Sequence, residues 1–128
     1  MRLNKKATIE NIGRGSYDKV ILASGSSPSV PPIRGIEYTI PVSDYLTHKV
    51  KAGKRVVIIG GGLAGTEAAC DIAPNAESVT IVEMMPDILY TAAHCLNNDQ
   101  QLRNMVRDRG VKVKADAKVI NITSDRLT

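Results

Sequence analysis

Three glycines are spaced as in a phosphate-binding turn. Gly60, Gly62 and Gly65 fit the pattern G-x-G-x-x-G and directly follow the β-branched run at 56–59. In this pattern the first glycine permits a tight turn, the second lets the backbone approach a pyrophosphate, and the third allows close packing of helix on strand. The N–H groups at the start of the following helix, together with the positive end of its dipole, form an anion site. We therefore expect this segment to bind a phosphate group.

An acidic residue follows the glycines at the distance that a dinucleotide site requires. Glu83 directly follows the apolar run Ser78–Val82 and lies 18 positions after Gly65. An acid about 20 residues beyond the glycines accepts hydrogen bonds from the adenosine ribose in such sites. The alternative is that the glycines only make a tight turn and that Glu83 is an ordinary exposed carboxylate. The order of strand, glycine turn, helix, strand and acid favours a dinucleotide site.

The expected ligand is NADH rather than NADPH. A carboxylate at residue 83 accepts hydrogen bonds from both ribose hydroxyls of NADH, whereas it repels the additional phosphate of NADPH. The next three residues, at 84–86, carry no positive charge, although arginines between 103 and 109 could approach from a later helix. The cofactor-binding segment is expected to include Gly60, Gly61, Gly62, Leu63, Ala64 and Gly65, with backbone contacts to the pyrophosphate from Gly60, Gly62, Leu63 and Ala64.

The elements that must position these groups belong to an α/β fold. A strand is predicted at 55–59, because the β-branched run at 56–59 is typical of a parallel sheet covered on both faces, and a helix is expected at 63–73. The predicted fold is a Rossmann-like dinucleotide-binding domain with a parallel sheet. Further elements are predicted from the periodicity of apolar residues and from residues that cap or stop helices. They are a strand at 19–23, an extended crossing at 26–41, a helix at 43–50 capped by Ser43, a helix at 100–109 stopped by Gly110, and two short strands within 111–123.

The composition limits the chain to one domain and argues against several functions. Its 128 residues contain no Trp or Phe, so we expect an aliphatic core. No apolar run approaches the roughly 20 residues of a membrane span, and the N-terminus lacks an apolar signal segment. We therefore expect a cytoplasmic protein with no membrane partner. The net charge of +4 comes from scattered lysines and arginines with few aromatic residues between them, which does not indicate nucleic-acid binding.

No metal site or redox dithiol is predicted. Cys70 and Cys95 are 25 positions apart and form no C-x-x-C pair. His48 and His94 have no ligand spacing to each other or to the cysteines, so surface positions are expected for both. Cys70 is expected to be a small buried residue of the helix that follows the glycine turn.

Four segments resemble a family of flavin enzymes, and they occur in that family's order. They are YDKVILASGSSPSVPPIRGIE, KRVVIIGGGLAGTEAACDIA, SVTIVEMMPDIL and RGVKVKADAKVINIT, which cover most of the chain from Tyr17 to Thr123. The chain resembles the NAD(P)H-binding lobe of pyridine nucleotide-disulfide oxidoreductases. Within that fold it is similar to the NADH:flavin oxidoreductases of the 2,4-dienoyl-CoA reductase and 2-enoate reductase group.

The resemblance implies a division of the chain between two lobes. In such enzymes an FAD-binding lobe is interrupted by an NAD(P)H-binding lobe, and an A-T-G strand end marks the junction. That junction here reads Ala23, Ser24 and Gly25, with serine in place of threonine. The implied domains are a junction segment from the FAD-binding lobe at 1–52 and an incomplete NAD(P)H-binding lobe at 53–128. We expect the sheet of that lobe to continue beyond the last residue.

The resemblance also implies roles for two acidic residues and places further cofactors outside the chain. Glu67 corresponds to an acidic helix residue near the nicotinamide, and Glu83 to the ribose carboxylate. The alternative for Glu67 is an exposed residue in the first helical turn, favoured there by the dipole. Enzymes of the enoate-reductase group also hold FMN and an iron–sulfur cluster. The two cysteines of this chain cannot supply the four thiolates of such a cluster.

Two functional hypotheses follow. In the first, the chain is the NADH-binding portion of a larger flavin-dependent oxidoreductase, is inactive alone, and positions NADH for hydride transfer to FAD in an enzyme that reduces an enoate or enoyl-CoA type substrate. In the second, it is a non-catalytic regulatory or scaffolding module that binds a nucleotide or a protein partner. A flavin barrel and C-x-x-C cysteines upstream in the reading frame would favour the first hypothesis. An unpaired sheet edge further predicts self-association of the chain.

Overall fold

The computed structural model of the protein describes residues 3–15, 17–90 and 96–128. Its α-helices are α1 (Ile9–Gly13), α2 (Val42–Leu46), α3 (Leu63–Ile72) and α4 (Leu96–Asp108), and its strands are β1 (Arg55–Ile59), β2 (Ser78–Val82) and β3 (Lys112–Lys114). Single 3-10 turns lie at Ile36–Tyr38 and Ala73–Asn75. Over these ranges no helix is both long enough and apolar enough to cross a bilayer.

The three strands form one parallel sheet in the order β1-β2-β3. Ile59 at the end of β1 aligns with Val82 of β2, which aligns with Lys114 of β3. Because parallel strands run in one direction, the residues that follow them meet at the same edge of the sheet. The glycine turn after β1 and Glu83 after β2 are therefore neighbours in space. The predicted α/β fold with a parallel sheet is confirmed.

Helices α3 and α4 contribute to the hydrophobic core on one face of the sheet. Small side chains on α3 let its backbone lie close to the strands, and β2 supplies the centre of the core. The residues that these elements contribute to the core cluster are Ala69, Cys70 and Ile72 of α3, Val79 and Ile81 of β2, and Leu102 and Val106 of α4. Because side chains alternate across a strand, Val57 lies on the opposite face, where it is 49% exposed. The core is therefore concentrated on one side of the sheet.

The predicted strand at 19–23 is wrong. Val20, Ile21 and Leu22 lie outside the described helices and strands, and their exposed fractions are 53%, 89% and 85%. A β-branched run becomes a strand only where a neighbouring strand pairs with its backbone N–H and C=O groups. None of the three described strands pairs with this run. The strand propensity of these residues was therefore not sufficient to form a strand without a pairing partner.

Several predicted element boundaries differ from those in the structure. Helix α2 follows Pro41, whose fixed φ suits a helix start, so Ser43 lies inside the first turn and is not the cap. Helix α4 begins four residues earlier than predicted. Gly110 beyond it adopts a φ of +66°, as expected for a helix stop. Of the two strands predicted within 111–123, β3 is present, whereas Ile122 makes only an isolated bridge to Leu127.

A hydrogen bond between α2 and α3 leads to a pH-dependent prediction. The hydroxyl of Tyr45 donates to Oδ2 of Asp71 at 2.6 Å. This bond, with partial burial and the negative charge of Asp71, raises the pKa of Tyr45 from 10.0 to about 12. Because the folded pKa is raised, the contribution of this bond to stability is complete below the ordinary pKa and is lost as the pH rises toward the folded value.

We expect Tyr45→Phe to remove the highest-pH component of the phenolate absorbance in a spectrophotometric titration of the folded chain. Asp71→Asn should move that component toward the ordinary tyrosine pKa, because the amide carries no charge. Asp108→Asn makes the same acid-to-amide change at an exposed residue paired with Arg107 and should leave the component in place. An unchanged titration in Asp71→Asn would contradict the assignment.

Candidate dinucleotide site

The glycine turn begins directly at the edge of the sheet. The N–H of Gly60 donates to the carbonyl of Val82 at 2.9 Å, which extends the β1–β2 ladder by one residue. Gly60 then adopts a φ of +101°, in the region that side-chain-bearing residues avoid. This conformation takes the chain out of the sheet and into α3.

The second and third glycines of the pattern differ in their surroundings. A Cβ atom at Gly65 would overlap the carbonyl oxygen of Gly60, so the absence of a side chain lets α3 pack on the turn. Gly62 is the N-cap of α3 with an ordinary φ of −69°. A Cβ atom there would meet nothing within 4 Å. The fold itself therefore explains glycine at 60 and 65, while the space beside Gly62 is open.

The start of α3 offers backbone donors to that open space. The N–H groups of the first helical turn have no intrahelical acceptor, and their dipoles give this end a partial positive charge. Thr66 is the first residue to make the helical bond, from its N–H to the carbonyl of Gly62 at 2.9 Å. Leu63 and Ala64 are exposed. An anion beside Gly62 would thus face the N–H groups of the predicted residues 62–65.

Gly61 connects the turn to two other parts of the structure. Its N–H donates to Oε2 of Glu83 at 2.6 Å. Its carbonyl accepts from the N–H of Leu89 at 2.7 Å and from the hydroxyl of Thr66 at 3.1 Å. Gly61 is buried and Thr66 is fully buried, so these bonds are shielded from water. The turn is held in place by β2, the segment after β2, and α3 together.

Glu83 is a buried carboxylate, and the interpretation of it as an ordinary exposed residue is wrong. Glu83 is 9% exposed. While Oε2 accepts from Gly61, the other oxygen, Oε1, accepts from the N–H of Met85 at 2.7 Å. Both oxygens are therefore fixed by backbone donors. Each carboxylate oxygen has a further lone pair, so the group can still accept from ribose hydroxyls. The ribose role of Glu83 stays a prediction.

Sequence reasoning missed the segment that follows Glu83. We call residues 84–90 the β2 loop. Arg103 on α4 binds it through Asp87 and the carbonyl of Ile88, and it also pairs with Asp99. Asp99 and Arg103 are four positions apart on a helix, a spacing that favours an ion pair and that was readable in advance. The contact of Arg103 with Asp87, 16 positions earlier, could not be predicted from such a spacing.

The arginines that could have served an NADPH phosphate already have acceptors. Arg103 is engaged as described. Arg107 pairs with Asp108 at 2.8 Å, and Arg109 donates to the carbonyl of Cys70 on α3. These contacts favour the NADH prediction, because moving any of these side chains to a phosphate would break an existing bond.

The remaining predicted site residues lie apart from the turn. Ala23, Ser24 and Gly25 are exposed and belong to no described helix or strand. Glu67 is exposed beyond the first turn of α3, and with Arg109 it lines a cleft between α3 and α4. The structure gives no contact that tests its nicotinamide role.

The cysteine and histidine predictions are confirmed for the two of these residues that the structure describes. Cys70 is buried as expected, and burial raises the pKa of its thiol, so it is not a reactive thiolate. His48 is exposed, as predicted. His94 and Cys95 lie outside the described residues. In the part of the chain that is described, no group of His, Cys, Asp and Glu side chains is arranged to hold a metal ion.

Comparison with known proteins places this geometry in a family. The family model described as pyridine nucleotide-disulphide oxidoreductase matches residues 2–127. Cinnamate reductase of Clostridium sporogenes is 36% identical over 126 residues, which are 98% of this chain and 19% of that protein. An NADH oxidase of Thermoanaerobacter brockii is 44% identical over 94 residues, covering 69% of this chain and 14% of the relative.

Solved structures agree with this relationship. A 2-naphthoyl-CoA reductase in complex with 2-naphthoyl-CoA matches with a TM-score of 0.73 and 30% identity over 82% of this chain and 16% of its own. A water-forming NADH oxidase from Lactobacillus brevis, bound to NADH, matches with a TM-score of 0.59 and 27% identity over 85% of this chain and 26% of its own. The chain thus spans less than a third of the length of each of these proteins. By the match of the family model over almost its whole length, the chain belongs to the pyridine nucleotide-disulphide oxidoreductase family.

Proposed function

We propose that this chain binds NADH as the nicotinamide-nucleotide lobe of a larger flavin-dependent oxidoreductase. The observation that carries the proposal is the open space beside Gly62, which lies between the free N–H groups of α3 and the strand end that holds Glu83. A pyrophosphate in that space would accept from backbone N–H groups and face the positive end of the helix dipole. The NADH-bound structure of the Lactobacillus brevis relative supports this choice of ligand.

The residues of the chain bind and orient in this proposal. The N–H groups at 62–65 hold the pyrophosphate, and Glu83 accepts from the adenosine ribose. FAD in the complete enzyme would supply the hydride-accepting chemistry, so the chain itself needs no general acid, nucleophile or metal. We expect it to bind NADH without oxidising it when alone, and we keep a cytoplasmic location as part of the proposal.

The proposed enzyme is a reductase of an enoate or enoyl-CoA type substrate. The names of two relatives, cinnamate reductase and 2-naphthoyl-CoA reductase, support this substrate class. FMN and an iron–sulfur cluster, which the enoate-reductase group uses, would belong to the remainder of that enzyme. Residues 1–52 would then be its junction with the FAD-binding lobe and residues 53–128 its NADH-binding lobe.

Two glycine variants separate binding from folding. Gly62→Val fills the open space, and we expect NADH affinity to fall at least tenfold while the free energy of unfolding changes by less than about 1 kcal/mol. Gly65→Val should instead destabilise the fold by about 1–3 kcal/mol or more, because its Cβ meets the carbonyl of Gly60. Calorimetric titration with NADH and urea unfolding measure the two effects. Full NADH affinity in folded Gly62→Val would contradict the proposed pyrophosphate position.

Another prediction concerns the choice of cofactor. We expect the wild-type chain to bind NADH more tightly than NADPH, and Glu83→Gln to narrow the ratio of the two dissociation constants by about tenfold to a hundredfold. The ratio is the right measure because Gln places an NH2 group against one backbone N–H and so also destabilises the turn. Glu77→Gln, at an exposed residue just before β2, is the matched control. Tighter NADPH binding by the wild type would refute the selection.

Reversible self-association of the chain is also predicted. Val57 is half exposed on β1, which is an edge strand of the described sheet, and such edges pair with other chains. We expect the weight-average mass in sedimentation equilibrium to rise with concentration and Val57→Lys to suppress the rise. Ile120→Lys adds the same charge at an exposed residue away from the described strands and should not. A monomer at every concentration would reject this prediction.

A further inference from the structure

We propose that Arg103 is a positioning residue of the dinucleotide site, which acts on the ribose end through the β2 loop. The inference rests on the NADH-binding function proposed above. Arg103 itself has no hydrogen bond to the glycine turn or to Glu83 among the described contacts. Its effect on the ligand is therefore indirect, through the backbone groups that hold both of them.

The first step is the contact between Arg103 and the β2 loop. Its guanidinium donates from Nη1 to Oδ2 of Asp87 at 2.6 Å and from Nη2 to the carbonyl of Ile88 at 2.7 Å. Nε donates to Oδ1 of Asp99 at 2.5 Å, which fixes the side chain on α4. The side chain of Arg103 is 32% exposed and that of Asp99 is 21% exposed, so the pairing is partly shielded from water. One planar guanidinium thus binds two acceptors of the loop and one of α4, and so holds the loop against α4.

The second step is the contact between the β2 loop and the site. The N–H of Met85 donates to Glu83, and the N–H of Leu89 donates to the carbonyl of Gly61, both at 2.7 Å. Ile88 and Leu89 are 3% and 2% exposed, so the loop is buried where it meets the turn. Ile88 lies close enough that its Cγ2 would be 2.8 Å from a Cβ at Gly61. The loop that Arg103 holds is thus the same loop that fixes the carboxylate and the turn.

The two steps predict an effect on cofactor selection. Without Arg103, the carbonyl of Ile88 and Oδ2 of Asp87 lose their donors. The loop then keeps its backbone hydrogen bonds and its buried apolar side chains, but it loses its tie to α4. Glu83 is then less well oriented toward the ribose hydroxyls. NADH binding should weaken more than NADPH binding, because the carboxylate favours NADH. A purely structural role would lower the affinity for both cofactors by the same factor.

The test compares two arginine variants of α4 by calorimetric titration with NADH and with NADPH. Arg103→Met keeps the aliphatic stem and a good helix former. We expect NADH affinity to fall about threefold to tenfold, the range of one neutral hydrogen bond. The ratio of NADH affinity to NADPH affinity should fall as well. Arg107→Met makes the same change at a side chain that is 71% exposed and pairs only within α4, and it should change neither value.

Two milder variants keep the inference falsifiable if Arg103→Met folds poorly. Arg103→Lys retains the charge but cannot serve three acceptors, so its ratio should lie between those of the wild type and Arg103→Met. Asp87→Asn should also lower the ratio of NADH affinity to NADPH affinity. In the Arg103→Met background it should add little, because both changes remove the same contact between residues 87 and 103. Equal weakening of both cofactors, or an unchanged ratio in all three variants, would overturn the inference while leaving NADH binding intact. A wild-type chain that binds no NADH would overturn the proposed function and this inference with it.

Discussion

The site depends on the buried carboxylate of Glu83. It accepts from the N–H of Gly61 at 2.6 Å and from that of Met85 at 2.7 Å, and so joins the end of β1 to the end of β2. A buried carboxylate without partners would be costly, and so would a buried backbone N–H. Each group satisfies the other, which gives the glycine turn one defined position. The ends of two parallel strands thereby become a single rigid unit.

This arrangement prepares the site before a ligand arrives. The turn is fastened to β2 through Glu83, to the β2 loop through Leu89, and to α3 through Thr66. The space beside Gly62, at the start of α3, is open. A ligand that enters a preformed site does not pay the entropy of ordering a loop, which favours affinity. Backbone N–H groups that bind a pyrophosphate do not distinguish NADH from NADPH, so in the proposed site the selection would come from the carboxylate and the residues that orient it.

The segment before the sheet is organised differently. Residues 20–22 have strand-forming side chains but are exposed, and Pro28, Pro31 and Pro32 lie in irregular backbone that follows. The first described β-bridge between this region and the rest of the fold joins Arg34 and Asn121. The cinnamate reductase match includes nearly all of this chain but only 19% of its own length, so a relative has much more chain than is described here.

The amino-acid sequence by itself determined the unit of strand, glycine turn, helix and strand, because that unit is local. β1, the glycine turn, α3, β2 and Glu83 occur within 29 consecutive residues, and each step follows from side-chain pattern or from glycine. The bounds of β1 and β2 and the burial of Cys70 were therefore predictable. The same local reasoning predicted a strand at 19–23, where the deciding factor is a partner strand that no local pattern reveals.

Only the tertiary structure decided how the acid is used. The 18-residue spacing marked Glu83 as an acceptor, but not that Gly61 and Met85 occupy one lone pair of each oxygen. Nor did it indicate that Arg103 reaches back 16 positions to Asp87. Such contacts depend on where α4 packs against the β2 loop, and therefore on the whole core rather than on any segment. Spacing along the chain predicts which groups can meet, whereas packing determines which hydrogen bonds they make.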